Sequence, residues 1–137
     1  MKDSDNILID TSAWIEFFRK KDPYYKVILE LIDNRRVCCV GIVLAELLQG
    51  ARSQREVAVL EEFMLVFDFL PESTEMWKKA GKLSYLLRQK GKTIGLSDCY
   101  ISVTTISNNA QLLTLDKHFE AIGKEVELNL YVIAPLT

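Results

Sequence analysis

The sequence predicts an α/β fold in which a parallel sheet is covered by helices. Short apolar runs rich in β-branched residues recur along the chain, and longer segments of helical period separate them. Runs at residues 7–10, 37–40, 66–70, 111–114 and 130–133 are the candidate strands, a sheet of about five, with about seven helical segments between them.

The first run, ILID, ends on Asp10 and opens a helix crowded with Trp14, Ile15, Phe17 and Phe18. That is more apolar surface than one core face requires, so a partner interface competes with core packing as its explanation. The run 37–40 feeds a second helix, VLAELLQG, in which Glu46 sits among apolar neighbours. Ser53-Gln54-Arg55-Glu56 is a capping box, and the helix it opens places Val57, Leu60 and Met64 on one face. After the run 66–70, Pro71 precedes a helix whose stripe of Met76, Ala80, Leu83 and Leu87 is expected inside, with Lys78, Lys79, Lys82 and Arg88 outside and Gly91 as the stop. GLSDCYIS begins a further apolar helix with Asp98 in its first turn. The run 111–114 leads to Asp116 and a short helix over 117–121, and 130–133 is the last candidate strand.

At 137 residues, with no repeat and no Pro/Gly/Ser-rich linker, the chain is expected to form one domain over 1–137. A hydrophobic share of 49% beside 26% charged residues excludes a disordered chain. The formal charge of −2 supplies no general attraction to nucleic acid, so a polyanion must be met by a local basic patch or by metal ions. Cys38 and Cys39 are adjacent in a strand and point to opposite faces, and Cys99 lies in a helical pattern, so neither a disulfide framework nor a zinc site is expected. A reducing, cytoplasmic setting follows from that usage. The acidic start MKDSDN and the short run after it suggest neither a signal peptide nor a membrane span.

Asp10, Glu46, Asp98 and Asp116 share one local setting, the end of an apolar run or the start of a helix. Each has an ordinary alternative. Asp10 and Asp116 suit helix caps, and Asp98 suits the dipole of a first turn. Glu46 is harder to dismiss, because no cation lies at the favourable helical spacing and buried glutamate requires a partner. Together the four suggest one acidic pocket at the carboxyl ends of the strands. Clustered carboxylates repel unless a cation joins them, and oxygen ligands suit Mg²⁺ or Mn²⁺. The only histidine, His118, reads as a partly exposed helix residue rather than a ligand.

The segments ILIDTSAWIEFF, VGIVLAELLQGARS, GLSDCYIS and LLTLDKHFE, in this order and over nearly the whole chain, resemble the PIN-domain family, and within it the VapC-type toxins of toxin–antitoxin pairs. The resemblance implies a three-layer α/β/α fold and a metal-dependent endoribonuclease leaving a 5′-phosphate and a 3′-hydroxyl. It places Asp10, Glu46, Asp98 and Asp116 in the family's acidic positions. Ser12 matches the hydroxyl beside the first aspartate, Thr114 the polar residue of the fourth strand, and Thr11 and Gly50-Ala51 also follow the pattern. Asp10 and Asp98 are expected to be direct metal ligands. Asp116 and Glu46 are expected to ligate directly or through water, either of them able to take a proton from the attacking water.

Arg19, Lys20, Arg52, Arg55 and Lys92 are the candidate RNA contacts around the pocket mouth. A VapB-like antitoxin whose tail covers the active site, and a homodimer, are the partners the resemblance implies. A haloacid-dehalogenase-type phosphatase is a rival, although Ser12 stands where such sites carry a second aspartate. A receiver-like Mg²⁺-binding module is another, although NLYVIAPLT lacks the lysine it would want. RNA cleavage separates both from the nuclease.

Overall fold

The computed structural model describes residues 5–133, so the ends of the 1–137 span lie outside it. The elements run β1 (Ile7–Ile9), α1 (Thr11–Phe18), α2 (Tyr24–Asp33), β2 (Val37–Cys39), α3 (Gly41–Gln49), α4 (Gln54–Met64), β3 (Asp68–Phe69), α5 (Thr74–Gln89), α6 (Leu96–Ser107), β4 (Gln111–Leu113) and α7 (His118–Gly123). All strand pairings are parallel, in the order β3-β2-β1-β4.

The interior strands β1 and β2 are buried along their whole length, which is why they read as unbroken apolar runs. Cys38 and Cys39 are both buried although neighbouring strand residues face opposite sides, because both faces of the sheet are covered. Burial pushes both thiols up to about 12, so they stay protonated and serve as packing groups.

The expected fifth strand is reduced to a single parallel bridge between Leu112 and Leu130. Leu112 N–H donates to the Asn129 carbonyl at 2.9 Å, and Tyr131 N–H donates to the Leu112 carbonyl at 2.8 Å. Leu130, Tyr131 and Ile133 pack against the core while Val132 is 83% exposed, so the apolar run is used in packing without forming a ladder. The third strand starts at Asp68 rather than Val66, because Leu65 closes α4 and both Leu65 and Val66 lie on the surface.

Helix boundaries follow local chemistry. Ser53 Oγ accepts from Glu56 N–H at 3.1 Å, and Leu60 and Met64 are buried below it. Ser73, two residues after Pro71, caps α5 through Met76 N–H at 3.1 Å. Of the expected α5 stripe, Ala80, Leu83 and Leu87 are buried and Met76 is half-buried at its edge. Gly91, at φ 78°, turns the chain so that Lys92 N–H closes on the Leu87 carbonyl at 2.8 Å, a left-handed stop only glycine accepts without strain.

Strand order positions the site. From β1 the chain crosses to β2 on one side and later returns to β4 on the other, so β1 and β4 flank the point where winding reverses. Open parallel sheets leave a crevice there, at their carboxyl ends. Asp10 and Thr114 are the residues that follow β1 and β4.

Trp14 is fully buried, with the rings of Phe17, Phe18, Phe63 and Phe67 at centroid distances of 5.5–5.8 Å. Trp14→Ala is expected to lower the free energy of unfolding in urea by about 3–5 kcal/mol. A loss under about 1 kcal/mol would mean that this ring cluster is not a principal part of the core.

Candidate active site

Asp10 leaves β1 in an extended conformation and is the N-cap of α1. Its side chain does more than cap. Oδ1 accepts from Thr11 N–H at 2.7 Å, while Oδ2 accepts from the hydroxyls of Ser12 at 2.7 Å and Thr114 at 2.6 Å. The carboxylate is buried, 5% exposed, and these three donors replace the water it has lost.

The same hydroxyls reach onward. Ser12 Oγ accepts from Leu115 N–H at 3.0 Å and Thr114 Oγ1 accepts from Asp116 N–H at 3.0 Å. Because each hydroxyl spends its one proton on Asp10, their mutual separation of 3.3 Å is a close approach rather than a further bond. The end of β4 is thus fastened to the end of β1, and the backbone carrying Asp116 is placed by Asp10.

Glu46 has a partner that sequence spacing along its own helix does not reveal. Thr11 Oγ1, 35 residues away, donates to Oε1 at 2.7 Å. The carboxylate is half-buried and is satisfied by a hydroxyl rather than a cation.

Asp98 and Asp116 come together from α6 and the β4–α7 turn. The gap between them is occupied by His118, whose backbone N–H donates to Asp116 Oδ1 at 2.9 Å. The His118 ring Nδ1 lies 3.3 Å from Asp98 Oδ2 and 3.5 Å from Asp116 Oδ1. One ligand atom from each of these residues fits within 4.8 Å of the others. Asp10 and Glu46 are not in that closest group, although Asp10 is near enough to act electrostatically on Asp98. Burial lifts the Asp98 carboxyl above the ordinary carboxylate range, and the charges of Asp116 and Asp10 lift it further against the lowering effect of His118.

His118 is an exposed helix residue, as expected, and what the sequence does not reveal is that its ring lies beside both carboxylates. The available signal was its position two residues after Asp116, at a helix start, where the aspartate binds its N–H and the ring can fold back. Among the described residues, no lysine or arginine pairs with any of the four acids, and the ion-pair contacts of Asp98 and Asp116 come from His118 alone. A donor set of carboxylates lacking a fixed cation fits a hard divalent metal ion.

The basic candidates divide. Arg19, Lys20 and Arg52 line an open cavity of about 710 Å³ that also meets Thr11 and Glu46, with Ile15, Phe17, Phe18 and Phe63 on its apolar wall. Arg55 is exposed and outside that lining. Lys92 is also outside that lining and lies 3.0 Å from Glu125, which holds Lys90 at 2.6 Å as well. Of the crowded α1 apolar residues, Trp14 and Phe17 belong to the core, while Ile15 and Phe18 are partly exposed on the cavity wall.

The family model for the PIN domain matches residues 7–125. The chain belongs to the PIN-domain family. This PIN domain is 30% identical over 131 residues to ribonuclease VapC1 of Methanocaldococcus jannaschii, spanning 95% of this chain and 90% of that protein. It is 30% identical over 121 residues to ribonuclease VapC2 of Rickettsia felis, spanning 84% and 90%. Among solved structures it superposes on VapBC2 from Rickettsia felis bound to a promoter DNA fragment with a TM-score of 0.75 at 26% identity, covering 91% of this chain and 96% of that one. VapBC from Salmonella typhimurium bound to DNA gives a TM-score of 0.76 at 25% identity, covering 92% and 96%. The three-layer fold implied by the resemblance holds, with one strand fewer.

The folded pKa of Asp98 lies above its unfolded value, so its contribution to stability is fully present below the unfolded value and is lost as pH rises through the folded one. In EDTA, Asp98→Asn is therefore expected to raise the melting temperature at about pH 7 by about 2–4 °C, and to lose that advantage near pH 4. A lower melting temperature at about pH 7 would show that the carboxylate is not held against repulsion.

Proposed function

We propose that Asp98, Asp116, Asp10 and Glu46 form the catalytic pocket of a metal-dependent endoribonuclease of the VapC kind, the toxin half of a toxin–antitoxin pair, acting as a single domain. The convergence of Asp98 and Asp116 beside Asp10, with no lysine or arginine to neutralise them among the described residues, is the observation that carries this reading.

A divalent cation, Mg²⁺ or Mn²⁺, bound there supplies Lewis acidity to the scissile phosphate and a lowered pKa to the attacking water. Asp98 and Asp116 are the residues that would hold it, with Asp10 behind them. Asp10 also orients the site, since its two hydroxyl partners fix the turn carrying Asp116. Glu46 is anchored at Oε1 by Thr11, which leaves Oε2 to take a proton from water. Arg19, Lys20 and Arg52 offer cations to the RNA backbone along the cavity that Glu46 also lines.

The same cavity suits the tail of a VapB-like antitoxin. Its wall of Ile15, Phe18 and Phe63 is partly exposed apolar surface, which water disfavours and an amphipathic peptide covers. A tail seated there covers the Thr11–Glu46 end of the pocket. No described helix is long and apolar enough to cross a membrane. A cytoplasmic homodimer completes the reading.

Cleavage of labelled RNA is expected with Mg²⁺ or Mn²⁺ and not in EDTA, and Asp10→Asn and Asp98→Asn should each lower the rate by about 10²–10⁴-fold. Cleavage by Asp98→Asn at the wild-type rate would sink the assignment. Phe18→Ala should weaken antitoxin binding by about 1–2 kcal/mol in calorimetry while leaving RNA cleavage within about twofold. An unchanged affinity would remove the cavity wall from the interface.

A further inference from the structure

We propose that His118 is itself a ligand of the metal site, making it a mixed nitrogen–oxygen centre that favours Mn²⁺ and later first-row ions over Mg²⁺. This rests on the reading of the acids as a metal pocket and adds a residue to it.

The geometry carries the inference. The His118 side chain is 60% exposed and could turn to solvent, yet its Nδ1 points between two carboxylates from different elements. Its separations of 3.3 and 3.5 Å from Asp98 Oδ2 and Asp116 Oδ1 are close to the distance between neighbouring ligands of one ion. For octahedral bonds of about 2.1 Å that distance is about 3.0 Å, so the ring nitrogen stands within a few tenths of an ångström of it from each carboxylate. Ring orientation is supported from the backbone, because the Asp116 Oδ1 that faces Nδ1 also holds the His118 N–H at 2.9 Å. The exposed side of the ring leaves the centre open to water and phosphate.

Imidazole in the ligand set changes ion preference. Mg²⁺ is a hard ion that prefers oxygen and gives up water reluctantly, whereas affinity for nitrogen-containing sites rises from Mn²⁺ through Co²⁺. An all-carboxylate pocket would discriminate less. The alternative role for the ring is a counter-ion that leaves when the metal arrives, and the two roles differ in whether nitrogen is bound to the loaded ion.

Pulsed electron paramagnetic resonance of Mn²⁺ bound to the full chain tests this directly. A ¹⁴N coupling is expected in the wild type and should vanish in His118→Asn, whose amide oxygen, like Nδ1, is bonded to Cγ. Competition calorimetry should show the Mn²⁺-to-Mg²⁺ affinity ratio falling at least about tenfold in His118→Asn, a differential of about 1.4 kcal/mol. Bound Mn²⁺ with no nitrogen coupling, or a ratio unchanged within about twofold, overturns the ligand role and leaves the acidic pocket standing. Failure of the wild type to bind Mn²⁺, or binding that survives Asp98→Asn combined with Asp116→Asn, overturns the pocket as well.

Discussion

The grip of two hydroxyls on one buried carboxylate organises this molecule's carboxyl-terminal sheet edge. Asp10 is nearly inaccessible, and a bare carboxylate there would be costly. Ser12 and Thr114 meet that demand and, through their lone pairs, fix Leu115 and Asp116. Two strands whose ends are only adjacent in the sheet are thereby locked at the reversal of its winding. Everything with chemical potential in the crevice is referenced to that lock: Thr11 follows Asp10 and holds Glu46, and Asp116 holds the backbone of His118.

Around this anchor the protein tolerates an arrangement that folding alone would not choose. Asp98 is lifted by burial and by two like charges, and its relief comes from a single exposed imidazole. Relief of this kind is partial by design of the residue types, since one ring faces two carboxylates. A pocket that is stable but incompletely neutralised suits reversible capture of a cation.

Much of the architecture is legible in the linear chain because burial on both faces of a parallel sheet leaves unmistakable apolar runs, and because the serine caps and Gly91 act within one turn of themselves. Asp10 and Asp116 are legible for a related reason, standing just past such runs, while Asp98 is marked by its place in a first helical turn and Glu46 by the apolar helix around it. What escapes the sequence are pairings between distant segments. His118 meets Asp98 across 20 residues, Thr11 meets Glu46 across 35, and Lys92 meets Glu125 across 33. No periodicity encodes these meetings, which follow from how α6, α7 and the sheet dock. The last strand is overestimated for the converse reason: apolar side chains at 130–133 report composition, while pairing is set by backbone hydrogen bonds that reach Leu112 alone.

The clasp of Lys90 and Lys92 on Glu125 ties the turn before α6 to the chain just beyond α7, the two helices whose starts present Asp98 and His118. Dissolved salt therefore acts on this site with two signs. Screening weakens the attraction that holds the helices' flanking segments together, and it also weakens the repulsion between the carboxylates those helices bring face to face. Clasp and carboxylates are comparably exposed, so the two effects of salt oppose each other over the same range of ionic strength.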